Sequence, residues 1–389
     1  MRVAFIDPSL FTAPYDLALM DGIAAAQSNV AMRLYTRQLN EGDVESERMV
    51  EHFYHAAWLG NGRLAKGVQH PFDLARLCRE LEGWQPDIIH LQWAVLPPVD
   101  LWFLPRLRRI APLVLTLHDS LPHNGSPRSR LQVWGNQALV RGVDAIIVHT
   151  AQARARLEAA GIAPGRIVHL PHGLLNDHPA ASMPVARDSG PVQFVLFGKL
   201  KPYKGADILV RAVARLAPAL RAQCRVHIVG RPYMETDSLL NLAATLGAAG
   251  DIAFEFGYVP ERRVATMFSG NCVAVFPYRE IDSSGVLMTA IAASCPIVAS
   301  RLGGFAELLD ERNALLFRPG DDADLAAALS RVIEEPGLLQ SLADGARALR
   351  ATIPTWHEIG RGTLALYQAV IAGRPAWHAP QITPSHTPV

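Results

Sequence analysis

The chain has 389 residues, half of them hydrophobic and 19% charged, which is ample for two cores, and no run approaches the roughly 18 uncharged apolar residues of a membrane span. A formal net charge of +1 excludes a general nucleic-acid binder, whose phosphate affinity needs a clustered basic excess, so any anion has to be held locally. Four scattered cysteines, Cys78, Cys224, Cys272 and Cys295, show neither a CxxC pair nor Cys/His ligand spacing, which argues against a disulfide framework or a zinc site.

Residues 1–7 turn polar before the apolar core of a signal peptide could form, so they read as a short buried strand of a cytoplasmic protein. Apolar runs at 3–6, 88–91, 113–117 and 145–148 recur between helical stretches. Runs without alternation belong to strands buried on both faces, and intervening helices make such strands parallel. The first domain is therefore placed at 1–175. Around 174–190 the periodicity fails in a segment rich in Pro, Ala, Ser and Gly, which reads as a linker. A second series follows at 194–197, 226–229, 252–256, 273–276, 297–299 and 314–317, setting a second domain at 190–353. Helices are expected at 324–333 and 338–349, then a last one at about 355–372, and the Pro- and His-rich tail at 375–389 is expected to fray. The fold class is α/β, with two Rossmann-like doubly wound lobes.

Two segments carry chemistry. In the first, a strand ends at Phe197 and a turn with Gly198, Lys199, Lys201, Lys204 and Gly205 leads to a helix from Ala206. Glycine lets backbone approach a ligand, and ammonium groups at the C-terminal edge of a sheet can neutralise phosphate; the bland alternative is a solvated basic turn. In the second, a strand ending at Phe276 runs through Tyr278, Glu280, Asp282 and Ser283 into a helix near Gly285, with Ser283 or Ser284 as its cap. Free amides and a positive dipole end suit a diphosphate, and Glu280 or Asp282 could accept from sugar or ribose hydroxyls; the alternative is a capped helix with surface carboxylates.

The order of these segments, with Ile228-Val229-Gly230-Arg231, with 276–290, and with Cys295-Pro296 through Gly303-Gly304 to Glu307, resembles family 4 of the retaining GT-B glycosyltransferases. The likeness covers nearly all of the second half, and Gly198 to Gly205 is similar to the pattern G-R-L-x-x-x-K-G. The first half agrees more loosely, through Ile89-His90-Leu91-Gln92-Trp93, Leu115-Thr116-Leu117-His118-Asp119, Val148-His149-Thr150 and Leu170-Pro171-His172-Gly173.

The resemblance implies lobes facing across a cleft, an acceptor-side domain at 1–175, a donor domain at 190–353 and a helix at 354–374 crossing back to the first lobe. It implies a retaining, metal-independent transfer of a hexose from a UDP- or GDP-linked donor to a sugar or lipid-linked sugar hydroxyl, with no cofactor, in polysaccharide, exopolysaccharide or glycoconjugate biosynthesis. The leaving phosphate would help deprotonate the acceptor, so no general base is assigned. His118, Glu280 and Asp282 are carried over as catalytic. Donor contacts are carried over to Gly198, Lys199, Lys204, Gly230, Arg231, Tyr278, Ser283, Ser284, Gly285, Val286, Leu287, Thr289 and Glu307.

Three positions depart from the pattern. Lys199 replaces the usual arginine, keeping charge but losing the bidentate fork. Thr289 stands where the second of two glutamates is usual, and the first falls on Ile281 between Glu280 and Asp282. Pro8 to Asp16 replaces a glycine-rich first loop. Asp322-Ala323-Asp324 follows Pro-Gly and reads as a helix cap rather than a metal-binding triplet. The stretch 102–109, mixing Trp102 with Arg106, Arg108 and Arg109, is either an ordinary crossover helix or a peripheral contact with anionic lipid at the inner face of the membrane. The rival readings are a sugar-nucleotide 2-epimerase of similar fold and a catalytically silent sugar-nucleotide-binding protein.

Overall fold

The computed structural model describes residues 1–40, 43–55, 63–119, 130–176 and 190–375. Contacts divide these into two compact units, one running to Gly173 and resuming at Pro354, the other spanning Leu174–Ile353. Most of the linker and the tail beyond Pro375 lie outside the described residues.

In the first unit the elements are β1 (Arg2–Asp7), α1 (Ala13–Ala26), β2 (Ala31–Arg37), β3 (Met49–Phe53), α2 (Arg63–Trp84), β4 (Ile88–Leu91), α3 (Pro97–Ile110), β5 (Leu113–Leu117), α4 (Arg130–Gly142), β6 (Ala145–Val148), α5 (Ala151–Ala159) and β7 (Ile167–His169). The seven strands form one parallel sheet in the order β3-β2-β1-β4-β5-β6-β7. Every residue of β4, β5 and β6 is buried, as unalternating apolar runs require. β2, β3 and β7 were not among the apolar runs of the sequence.

The second unit holds β8 (Val192–Phe197), α6 (Ala206–Arg215), α7 (Pro218–Arg221), β9 (Cys224–Gly230), α8 (Asp237–Thr245), β10 (Ile252–Phe256), α9 (Glu261–Met267), β11 (Cys272–Phe276), α10 (Gly285–Ala292), β12 (Ile297–Ser300), α11 (Phe305–Leu308), β13 (Leu315–Phe317), α12 (Asp322–Glu334) and α13 (Leu338–Arg350). Its six strands are also parallel, in the order β10-β9-β8-β11-β12-β13. Both orders reverse direction beside the first strand, and at such switch points the loops after the strands gather at one edge. Asp321 caps α12 by accepting from the amides of Ala323 and Asp324, and Asp324 accepts from the Arg318 amide at 2.7 Å, so this acidic triplet serves a helix start.

α14 (Trp356–Ile371) belongs to the first unit. Thr355 and Glu358 close a capping box that fixes its start. It lies against α1 so closely that a Cβ on Gly360 would stand 2.2 Å from the backbone carbon of Gly22, and one on Gly22 would stand 2.0 Å from the Trp356 carbonyl oxygen. Only glycine at both positions admits this approach.

Candidate active site

In the second unit, the turn after β8 is closed by a 3-10 turn at Pro202–Lys204 and by Gly205, whose φ of 68° is left-handed. A Cβ at Gly205 would strike the Pro277 carbonyl oxygen at 1.9 Å, so the turn rests directly on the backbone after β11. Gly198 (φ 121°) and Gly230 (φ 140°) back onto each other, since a Cβ on Gly230 would lie 1.9 Å from the Gly198 carbonyl oxygen.

This crowding delivers one ammonium group. Lys204 is only 4% exposed, and its Nζ donates to the Tyr278 hydroxyl while lying 4.4 Å from that ring's centroid. A Cβ built on Gly198 would meet Lys204 Nζ and Val286 Cγ2, each at 3.2 Å, which puts the cation between the glycine turn and the first turn of α10. Tyr278, whose hydroxyl burial pushes to higher pKa, also shares a side-chain hydrogen bond with Ser284. Ser284 caps α10, accepting from the Leu287 amide at 3.3 Å. The amides of Gly285 and Val286 precede the first intrahelical bonds and have no acceptor within the helix. A buried cation and a helix opening thus converge, joined through one tyrosine; together they can hold an anion.

The other expected donor residues are spread around this centre. Lys199 and Arg231 are exposed, with the Arg231 guanidinium 5.8 Å from the Tyr233 ring. Ser283 is half-buried, Leu287 is buried, and Glu307 is exposed on α11. Asp282 is buried, whereas Glu280 lines a groove of about 630 Å³ with Pro202, Tyr203, Asp207, Arg211 and Arg279, so the two carboxylates occupy different surroundings. Thr289 turns its hydroxyl back to the Gly285 carbonyl at 3.1 Å, inside its own helix. Arg279 ties the assembly from outside, gripping Asp207 with two bonds of 2.9 and 2.7 Å and the Pro202 carbonyl at 2.9 Å.

The first unit gathers a different set of groups at the ends of its strands. His118, next after β5, stacks on Trp93 with centroids 5.3 Å apart and planes at 13°. The Tyr15 ring meets His118, His149, His172 and Trp356 at 4.8, 5.1, 5.1 and 5.3 Å. His118 Nε2 lies 3.1 Å from Gln92 Oε1, and His149 Nδ1 donates to the Leu170 carbonyl at 3.0 Å. Burial holds all three imidazoles neutral: His149 is pushed down to about 3, His172 to about 4, and His118 well below the usual range, aided by its histidine neighbours. The cluster offers uncharged rings and hydrogen-bonding nitrogens, the chemistry that suits a neutral polyhydroxylated ligand.

Two family profiles match the chain, "Glycosyl transferase 4-like domain" over residues 13–173 and "Glycosyl transferases group 1" over residues 191–335. The D-inositol 3-phosphate glycosyltransferase of Acidothermus cellulolyticus is 31% identical over 320 residues, covering 75% of this chain and 69% of that protein. The chain belongs to the group 1 glycosyltransferases. The enzyme of the same name from Rhodococcus jostii is 26% identical and covers 93% of this chain and 85% of its own. Among solved structures, sucrose-phosphate synthase from Thermosynechococcus elongatus superposes with a TM-score of 0.74 at 19% identity, covering 96% of this chain and all of that one. HepE from Anabaena, solved with UDP-glucose, gives 0.68 at 20% identity, covering 96% and 99%. These likenesses establish the GT-B fold.

For this glycosyltransferase, the sequence reading passed over Tyr15 and Trp356 and gave His149 no role in chemistry. A signal was available: Gln92, His118 and His149 each directly follow a strand, and His172 follows β7 by three residues.

Proposed function

We propose that this glycosyltransferase moves a hexose from a nucleotide-diphosphate sugar to a hydroxyl acceptor, with retention of anomeric configuration and without a metal. The buried Lys204 ammonium, bonded to Tyr278 and set beside the start of α10, carries this reading. Cleaving the sugar–phosphate bond builds negative charge on the departing diphosphate, and a preorganised cation with helix amides stabilises that charge without a metal ion. Lys204, assisted by Lys199 and the Gly285 and Val286 amides, takes the diphosphate. Asp282 or Glu280 holds sugar hydroxyls, Gly230, Arg231 and Glu307 flank the nucleotide, and His118 orients the transferred sugar. HepE was solved with UDP-glucose, which makes a UDP-linked hexose the first donor to try.

Thermal-shift screening against UDP, GDP and their sugars tests the donor, since binding raises stability by mass action. Transfer is then followed by NMR, with cyclitol phosphates, simple sugars and lipid-linked sugars as acceptors. An α-linked product from an α-linked donor, formed equally in EDTA, supports the reading. A β-linked product, or loss of activity in EDTA, overturns retention or metal independence respectively.

We place the enzyme at the cytoplasmic face of the membrane, in polysaccharide or glycoconjugate synthesis, with a peripheral contact larger than α3 alone. α2 exposes Leu64 (89%), Val68 and Phe72 (72%) four residues apart on one face, α3 exposes Trp102 (77%), and α4 exposes Trp134. The starts of these helices adjoin: a Cβ on Gly67 would reach Leu96 at 4.0 Å, and one on Gly135 would reach Pro98 at 3.0 Å. Together the three helices carry nine Lys or Arg against four Asp or Glu in sequence, with Arg76, Arg106 and Arg108 paired to Asp73, Glu82 and Asp144, and this positive excess beside exposed apolar groups supports contact with an anionic bilayer. Among the described residues no helix is long and apolar enough to cross a membrane. Sedimentation with phosphatidylglycerol vesicles but not phosphatidylcholine, abolished by pairing Phe72→Ser with Trp102→Ser, is the expected result; equal sedimentation with both lipids removes the proposal.

A further inference from the structure

The loop after β1 contains a charge that packing alone does not call for. Asp7, at the end of β1, and Asp16, in the first turn of α1, are both fully buried. Thr12 sits between them. Its amide donates to Asp7 Oδ2 at 3.1 Å, and its hydroxyl oxygen lies 3.4 Å from Asp7 Oδ2 and 3.3 Å from Asp16 Oδ1. Burial, then the Asp7 charge and a hydrogen bond to Asp7, hold the Asp16 carboxyl well above its usual range, which favours its protonated form beside the Asp7 carboxylate. A buried carboxyl pair is costly, and such arrangements concentrate at functional sites.

The Thr12 hydroxyl, directed at this anion, accepts in turn from Trp93 Nε1 at 3.0 Å. Trp93 is the ring that lies flat on His118. Stacking alone leaves an indole free to slide or change rotamer, because ring contacts have broad minima; a charge-assisted chain ending on its single N–H fixes its plane and its place.

We propose that Thr12, held between Asp7 and Asp16, is a positioning residue for His118 and acts through Trp93. The chain runs from the Asp7–Asp16 carboxyl pair to the Thr12 hydroxyl, which lies within 3.4 Å of both, and from Trp93 N–H to Thr12. His118 is thereby set by the flat Trp93 ring, beside the perpendicular Tyr15 ring and the Gln92 side-chain oxygen. The catalytic consequence rests on the proposed function, in which His118 orients the transferred sugar; the coupling of the rings does not.

The test uses Thr12→Val, which removes the hydroxyl at constant shape, and Thr12→Ser, which restores it. Thr12→Val should shift the His118 imidazole and Trp93 indole NMR resonances, lower kcat about tenfold through lost alignment, and leave the dissociation constant for the nucleotide diphosphate within twofold. Thr12→Ser should recover both resonances and rate. In a His118→Ala background Thr12→Val should cost nothing further, as expected when one residue acts only through another. An unmoved His118 resonance, or an equal cost in that background, overturns the proposal. Full transfer by His118→Ala would instead defeat the role given to His118 above, and the resonances would still decide the coupling.

Discussion

The two units solve opposite electrostatic problems. In the second, a lysine is buried and a helix start is turned toward it, so local positive potential is concentrated where no metal cluster occurs among the described residues. In the first, three histidines are buried until they are neutral, and a buried carboxyl pair lies behind them, linked through Thr12 and Trp93. An anionic leaving group calls for the lysine-centred environment and an uncharged sugar for the neutral histidines, and each is built here within a single unit.

Acid should separate the two units most strongly. His90, His149 and His172 fall from 6.5 to about 3, 3 and 4 in the folded protein, and His118 falls well below. The unfolded chain therefore takes up protons from pH 6.5 downward while the folded one does not. Each such histidine removes about 1.4 kcal/mol per pH unit until its folded value is reached. His52, also lowered by burial, acts in the same sense, whereas Asp16 opposes them, because its raised value keeps a proton in the folded state that the unfolded chain, with a value near 3.8, has released. The second unit has His227 as its one described histidine. Thermal unfolding followed between pH 7 and 5 should show the first unit melting progressively earlier while the second holds; parallel shifts of the two transitions would refute the contrast.

Lys204→Ala probes the other side. Removing a preorganised charge from a developing anion typically costs about 10²- to 10³-fold in kcat, and steady-state transfer assays should show a loss of that size. Because the lysine is buried against Tyr278, its removal also leaves that hydroxyl with Ser284 as its remaining side-chain partner of the two described. Transfer that survives intact would mean the anion is held elsewhere.

Gly360→Ala comes next. The added Cβ would meet α1 backbone at 2.2 Å, which no side-chain rotation relieves, so the helices must part. Overpacking of this kind costs about 1–3 kcal/mol. Its signature is a lowered first transition in the calorimeter, with the second unchanged; an unchanged first transition would show that α14 is not integral to that unit.

The same contrast explains what the sequence disclosed. The second site is local: 198–205 and 276–287 are two contiguous stretches, so glycine, lysine and cap signals stand side by side. The first is assembled from Asp7, Thr12 and Tyr15 in one stretch and from Trp93, His118, His149, His172 and Trp356 in five others, and only topology brings these six stretches together. His118 was reached through family resemblance, not through its surroundings. The strands divide similarly. Buried runs such as 145–148 were plain, whereas β2 carries Arg33 and Arg37, β3 pairs on one edge only, and β7 has three residues ending in His169, so none presents an apolar run. Thr289 was likewise reached through the family's register; its hydroxyl bonds to the Gly285 carbonyl within α10, a contact no motif discloses.

Arg279→Lys is the smallest change and asks whether the second site depends on shape as well as charge. Burial alone would raise the Asp207 carboxyl, yet Arg279 holds it below its usual range. The fork spans Asp207 and the Pro202 carbonyl, and the Arg279 amide donates to the Tyr203 carbonyl at 2.7 Å, so one residue anchors the turn that carries Lys204. An exposed pair of this kind is worth about 0.2–1 kcal/mol, so lysine, which keeps the charge but not the fork, should move the melting temperature by only a degree or two. The donor KM should nevertheless rise about threefold, because a point charge cannot bind the carboxylate and the carbonyl in one plane. If KM stays unchanged while Asp207→Asn raises it, charge alone suffices and the turn needs no rigid brace. If both substitutions raise KM equally and the double variant is no worse than either, the fork itself sets the distance between Lys204 and α10.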